Sequence, residues 1–130
     1  MMPSIDIDLR FSDLDAYGHV NNATIFSLLE TARVRLYQDR FTELMHKGLL
    51  FLVAEARCRY LKPISLADRL VIDIEPTHVG RTSFTLGYRL HNGGGLQFAE
   101  AETVMVCFDQ PAGKPAALPD DFRLLLTSND

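Results

Sequence analysis

Apolar and polar residues alternate strictly from Ile5 to Phe11, near the start of the chain. The apolar members, on one face, are Ile5, Ile7, Leu9 and Phe11. A period of two predicts a half-buried β-strand over this segment.

A helical pattern begins after a polar stretch. Its apolar residues recur at intervals of three and four, at Ile25, Leu28, Leu29, Ala32 and Leu36. This stripe predicts an amphipathic helix of about five turns, from near Asn22 to Arg40. A short helical turn over "FTELMHKG" is expected next, ending at Gly48, since glycine favours helix ends.

The rest of the chain has mainly strand patterns. Strands are predicted over Phe51–Tyr60, from Leu70 to Pro76, over Thr82–Leu90 and over Phe98–Phe108, with "HNGGG" as a hairpin turn and "PDDFRLLL" as a short terminal helix. Five strands with no helical crossovers favour an antiparallel sheet. The predicted fold is therefore α+β, with a five-stranded, mostly antiparallel sheet wrapped around one long central helix.

Length and composition narrow the class of protein. The 130 residues predict a single domain over 1–130, and no apolar run approaches the ~20 residues of a membrane span. "MMPSIDIDLRF" lacks the basic and apolar regions of a signal peptide, so a cytoplasmic location without membrane contact is expected. The net charge of −4 argues against a nucleic-acid partner. Cys58 and Cys107 form no CxxC and are interpreted as small buried hydrophobes.

The stretch "SDLDAYGHVNNATIF", Ser12 to Phe26, is unusually polar for the beginning of an apolar helix. Aspartate, glycine and asparagine are common in turns and helix caps, so local structure alone is one explanation. A site is the other. The unpaired amides of a helix start attract negative charge, and Gly18 lets the backbone come close to a ligand. Local pattern leaves both explanations open.

Several blocks of the sequence resemble one known family. "RFSDLDAYGHVNNATIFSLLETAR", "RCRYLKPISLADRLVI", "VGRTSFTLGYRL" and "AEAETVMVCFD" look like the hotdog-fold acyl-CoA thioesterases of the 4-hydroxybenzoyl-CoA thioesterase type. The resemblance runs in order from about Ile5 to Phe122. It implies hydrolysis of an acyl-CoA to free acid and CoA, with no cofactor.

The resemblance also implies roles for individual residues. Asp15 matches the catalytic carboxylate, Gly18 the glycine beside the thioester, and Asn22 the amide that binds the thioester carbonyl oxygen. Arg81, followed by Thr82 and Ser83, falls where such enzymes often meet the coenzyme A phosphates. Acyl preference does not carry over, because many relatives have other residues at "HVNN".

The neighbouring residues have alternative explanations. Asp13 is expected to hydrogen-bond loop backbone, and His19 either orients substrate or water or is structural. Glu30 is either a second carboxylate or an ion-pair partner of Arg33 or Arg57. Arg59 and Lys62 either bind phosphate or belong to a solvated strand face. No histidine or cysteine spacing fits a metal site.

Three functions compete at this stage. An acyl-CoA thioesterase is the first, and a hotdog dehydratase or acyl-carrier-protein thioesterase the second. A non-catalytic acyl-thioester binding module is the third, since a fold does not fix a function. A homo-oligomer, dimer or tetramer, is expected because one helix leaves a sheet edge and a sheet face uncovered.

Overall fold

The computed structural model describes residues 3–128 and contains one antiparallel sheet with two α-helices. The strands are β1 (Ser4–Ile7), β2 (Leu49–Tyr60), β3 (Leu70–Val79), β4 (Ser83–His91), β5 (Gln97–Asp109) and the short β6 (Lys114–Pro115), and the helices are α1 (Asn22–His46) and α2 (Asp120–Thr127). The sheet order is β1-β3-β4-β5-β2, with β6 added to β5. The predicted sheet around one long helix is confirmed.

Helix α1 is longer than the sequence pattern predicted. It runs for 25 residues without a break, so the expected separate turn over "FTELMHKG" is wrong. No glycine or proline occurs within the helix before Gly48, and Gly48 ends it as predicted with φ +83°. The stripe of α1 is buried against the sheet, with Leu29 and Ala32 fully inaccessible to solvent.

Two predicted strand boundaries also need correction. β1 stops at Ile7, and Phe11 lies in a 3₁₀ turn (Phe11–Asp13) where it is 81% exposed instead of facing the core. β3 continues past Pro76 to Val79, because its pairing with β4 extends to Val79↔Phe84. Proline is tolerated there because the pairing with β1 reaches only to Asp73, so that within residues 3–128 its missing N–H is opposite no paired strand.

Two β-bulges bend the sheet at one level. In β2 the pairing with β5 skips Ala54, between Val53↔Met105 and Glu55↔Val104. In β3 the pairing with β4 skips Thr77. Both bulges lie beside the level of Val104, and extra residues of this kind bend a strand and increase its twist.

The C-terminal helix closes one end of the core through Phe122. Its ring, fully buried, stacks on Phe51 at 4.8 Å between centroids and meets Phe84 edge-on at 5.5 Å. Tyr37 of α1 contacts the same ring at 5.9 Å. Phe122 therefore joins α2, α1 and two strands in one aromatic cluster.

The two cysteines are free. Cys107 is buried, in agreement with its interpretation as a small hydrophobe, and Cys58 is half-buried on β2. Within residues 3–128, none of the helices has the length and apolar character needed to cross a membrane.

We expect Phe122→Ala to lower the free energy of unfolding by about 3–5 kcal/mol, since it removes a fully buried ring and leaves a cavity. Leu124→Ala, on the same helix but 69% exposed, is the matched control and should change stability by less than about 0.5 kcal/mol. Urea denaturation of both variants measures the difference. Equal losses would show that α2 does not anchor the core through Phe122.

Candidate active site

The polar stretch before α1 folds into a tight loop that is closed by hydrogen bonds between its own backbone groups. The Asp15 amide donates to the His19 carbonyl at 2.8 Å, and the Gly18 amide donates to the Asp15 carbonyl at 3.1 Å. Gly18 has φ +79°, a conformation that disfavours a side chain, which explains a glycine at this position. The loop therefore has one defined shape directly before the helix.

The carboxylate of Asp15 is fixed by the backbone of the same loop. Its Oδ1 atom accepts the amide of Tyr17 at 2.9 Å and that of His19 at 3.4 Å. Both bonds use one oxygen, and among residues 3–128 no donor is paired with Oδ2. Asp15 is half-buried, so this second oxygen is available to a bound molecule.

The start of α1 lies just beyond this loop, at the predicted residue. Asn21 is the N-cap, and its side-chain oxygen accepts the Ala23 amide at 2.8 Å. The amide of Asn22, the first helical residue, has no acceptor among the described residues. It belongs to the group of free helix-start amides that carry partial positive charge.

A second loop supports the first one. The amide of Val20 donates to the carbonyl of Ile64 at 2.7 Å, and His19 forms an isolated bridge with Ser65. The His19 side chain is exposed. Asp15, Gly18, His19 and Asn22 are thus brought together in one segment held against the Ile64 loop.

Asp13, two residues before Asp15, has a different environment. It is 1% exposed, and its carboxylate accepts the Arg10 amide at 2.8 Å and the Arg10 guanidinium at 3.0 Å. The expectation that Asp13 hydrogen-bonds loop backbone is confirmed. Two aspartates of the same stretch are therefore separated by burial: one is enclosed and paired, the other open on one side.

A cavity of about 240 Å³ lies at the start of α1. Asn22, Tyr60 and Lys62 line it, together with apolar residues that include Ile25. The Tyr60 hydroxyl donates to the Asn22 carbonyl at 2.8 Å. Lys62 was a predicted site residue, whereas Tyr60 was missed, because a contact across 38 residues leaves no local pattern.

The Tyr60 hydroxyl keeps its proton at neutral pH. Burial raises the pKa of Tyr60, and the neighbouring Cys58 raises that pKa further. Burial likewise raises the pKa of the Cys58 thiol. Tyr60 is therefore a hydrogen-bond donor under physiological conditions.

Arg59 lies on the other face of the sheet. Cys58 and Tyr60 face α1, and Arg59, between them, points outward and pairs with Glu100 at 3.6 Å. Arg57 pairs with Glu102 on the same outer face. These arginines line a larger outer cavity of about 600 Å³, away from the start of α1.

Arg81, Thr82 and Ser83 are distant from Asp15 within one chain. Ser83 pairs with Val106 and Tyr60 with Ala99, and these two β5 residues lie about 24 Å apart at roughly 3.4 Å per residue. The Arg81 side chain is exposed, while its carbonyl accepts the Leu118 amide at 2.9 Å. The chain alone does not bring this group to the start of α1.

Glu30 has the simpler of its two predicted roles in the structure. It lies 3.6 Å from the guanidinium of Arg33, an arginine that is buried beneath α1. Within the described part of the chain, no cluster of three histidine, cysteine or acidic side chains is placed to hold a metal ion.

Comparison with known proteins agrees with this architecture. Residues 9–126 match the thioesterase-like superfamily. The chain is 31% identical to 1,4-dihydroxy-2-naphthoyl-CoA hydrolase of Thermosynechococcus vestitus, over 92% of this chain and 85% of that protein. It is 33% identical to the acyl-CoA thioester hydrolase YbgC of Escherichia coli O6:H1, over 87% of both chains.

A solved structure supports the same assignment. A thioesterase of Thermus thermophilus complexed with coenzyme A and Zn superposes with a TM-score of 0.81 and 34% identity, covering 95% of this chain and 90% of that one. The chain belongs to the thioesterase-like superfamily and has the hotdog fold. It is a thioester hydrolase, as the sequence resemblance predicted.

Asp13→Asn should lower the free energy of unfolding by about 1–3 kcal/mol, because the amide cannot accept both bonds from Arg10. Asp8→Asn, an exposed aspartate nearby, is the control and should have little effect. Thermal unfolding with a parallel thioesterase assay tests this prediction. A loss of turnover in Asp13→Asn at unchanged stability would contradict this prediction and would place the chemistry at Asp13 instead of Asp15.

Proposed function

We propose that the chain hydrolyses acyl-CoA thioesters at the loop before α1, with Asp15 as the catalytic carboxylate. The observation that carries this proposal is the arrangement of the loop that leads into the helix start: Oδ1 of Asp15 is held by two amides, and Oδ2 has no donor among residues 3–128. Two hydrogen bonds orient the carboxylate before any substrate arrives, which reduces the entropy lost on reaching the reactive geometry.

The oxygen of the thioester carbonyl would bind at the Asn22 amide. When a nucleophile attacks the carbonyl carbon, the C=O double bond becomes a C–O⁻ single bond, and the negative charge falls beside the helix start. Preorganised donors of this kind act on the transition state more than on the substrate. Gly18 leaves room for the thioester, because it has no side chain and nothing lies within 4 Å of its missing Cβ.

Asp15 can supply the attack by two routes. As a general base it takes a proton from water, and the resulting hydroxide attacks the carbonyl carbon. As a nucleophile it attacks directly, forming a mixed anhydride that water then cleaves. In both routes the C–S bond breaks, the thiolate of CoA leaves and takes up a proton, and the acyl group becomes the free acid.

A second copy of the chain would complete the molecule. β2 is an edge strand of 12 residues, and its central residues Leu52 and Val53 are each 45% exposed. Long exposed edges with apolar residues are normally covered by another strand or chain. We propose that β2 pairs with β2 of a second copy in a two-fold dimer.

An antiparallel two-fold pairing has a consequence for the substrate site. It places the Leu49 end of one β2 beside the Tyr60 end of the other. Arg81 lies at the Leu49 end of the sheet, since Ser83 and Leu52 both pair with Val106. Arg81 would therefore reach the partner's Asp15 loop, with Thr82 and Ser83 beside it.

The proposed substrate is an acyl-CoA. The Thermus thermophilus thioesterase is complexed with coenzyme A, and both relatives are named for acyl-CoA thioesters. Lys62 in the α1 cavity and Arg81 from the second chain supply positive charge for its phosphates. The outward direction of Arg59 and its pairing with Glu100 favour a structural role for that residue. The cytoplasm is the proposed location.

Asp15→Asn is expected to lower kcat by about 10²-fold or more, because an amide is neither a base nor a nucleophile. The asparagine oxygen can still accept the Tyr17 and His19 amides, so the melting temperature should be preserved. Free thiol release from a panel of acyl-CoAs at saturating concentration measures the change. Near-normal kcat would leave the loop with a capping role only.

Arg81→Ala is expected to raise KM for acyl-CoA with little change in kcat, since it removes binding remote from the reacting carbon. Mixing this variant with Asp15→Asn tests the shared site. Random re-assembly of a dimer gives about a quarter of sites with both residues intact, so kcat/KM should rise above the mean of the two variants. No rise, or a monomeric mass by light scattering, would contradict the shared site.

A further inference from the structure

The last residue of β2 forms a hydrogen bond with the first residue of α1. The hydroxyl of Tyr60 donates to the backbone carbonyl of Asn22 at 2.8 Å. Asn22 is the residue whose amide has no acceptor among residues 3–128 and is the proposed ligand of the thioester oxygen. A side chain of the sheet thus contacts the same residue that carries the proposed oxyanion donor.

The peptide unit between Asn22 and Ala23 is held at both ends. Its carbonyl accepts the Tyr60 hydroxyl, and its N–H donates to the side chain of Asn21 at 2.8 Å. A peptide unit is planar, so two bonds on opposite edges fix its orientation. The Asn22 N–H lies across a single Cα from this plane, and its direction is constrained with it.

The donor side of this contact is also well defined. Tyr60 lies on the α1-facing side of β2 and forms part of the cavity wall beside Asn22 and Lys62. Cys58, two residues earlier, lies on the same face of the strand. A phenol with an ordinary pKa is already protonated at neutral pH, and burial and the neighbouring Cys58 raise the pKa of Tyr60 further.

We propose that Tyr60 is a positioning residue, which aims the Asn22 amide at the thioester carbonyl through the Asn22 carbonyl. This inference rests on the proposed function and concerns a residue that need not touch the substrate. If the Asn22 amide is poorly oriented, it stabilises the thioester oxygen less. The loss is greatest in the transition state, because that is where the oxygen carries negative charge. The expected signature is a fall in kcat with KM unchanged.

Tyr60→Phe removes only the hydroxyl. We expect kcat to fall about tenfold, the size of losing one hydrogen bond of about 1.4 kcal/mol in the transition state. The fall should be the same for acyl-CoA and for an acyl-N-acetylcysteamine thioester, since the effect acts at the carbonyl and not at the nucleotide. Hydrogen exchange of the peptide covering residues 20–27 should become faster.

Tyr88→Phe is the matched control. The Tyr88 hydroxyl forms a buried hydrogen bond with Thr103 at 2.7 Å, so this variant loses the same group from the core. It should lower the melting temperature and leave kcat and the exchange of residues 20–27 unchanged.

Three results would overturn the inference while wild-type activity is intact. They are an unchanged kcat in Tyr60→Phe, a change confined to KM, and a fall in kcat without faster exchange, which would mean that the hydroxyl contacts substrate directly. A kcat loss of equal size in Tyr88→Phe would also overturn it, because general destabilisation would then explain the fall in kcat of Tyr60→Phe. Absence of wild-type hydrolysis across all thioesters would instead contradict the proposed function.

Discussion

Leu29 and Ala32 of α1 are completely buried against the sheet, and this contact fixes the position of the helix in the molecule. A helix is a rigid rod with a rise of about 1.5 Å per residue, so seating its middle turns also sets its first turn. The loop at Val20 and the hydroxyl of Tyr60 then fix that first turn from two further sides. The free amide at Asn22 is a by-product of ordinary helix geometry, and the packing of the core gives it a fixed direction.

The chemical difference between Asp13 and Asp15 follows from the same docking. The chain between the first strand and α1 has to turn sharply, and the buried carboxylate of Asp13 holds that turn by bonding Arg10. Asp15 lies in the outer part of the turn, where only one of its oxygens finds backbone donors. Stability and proposed reactivity are thus assigned to different residues of one short stretch.

Much of this arrangement was readable from local pattern. The alternation at Ile5 and Ile7, the α1 stripe and the glycine at 48 each act over a few residues, and the structure agrees with them. The resemblance to thioesterases located the Asp15 loop. Local pattern failed where the deciding contact was distant. Phe11 continued the alternation, yet it lies in a 3₁₀ turn and not in a strand. Pro76 suggested the end of a strand, because the sequence does not reveal that the pairing with β1 stops at Asp73.

The positions of the β2 side chains were unpredictable for a related reason. Before Ala54 the odd-numbered residues Phe51 and Val53 face the helix, and after it the even-numbered residues Cys58 and Tyr60 do. Strict alternation across the whole strand would have turned Arg59 inward and Tyr60 outward. The single unpaired residue Ala54 reverses which side chains of β2 face α1, and the amino-acid composition does not show which residue is unpaired.

The two bulges beside Val104 also bear on how this chain tolerates changes in length. Ala54 and Thr77 are skipped by the β5 and β4 ladders, so every other residue of their strands would keep its partner if either were deleted. Elsewhere in these strands, a one-residue deletion would shift all following side chains to the opposite face. One-residue deletions within these strands, among descendants of this chain, should therefore concentrate at these two positions. Such deletions would change the curvature of the sheet, because a sheet bends at its bulges. The same side chains would still face α1.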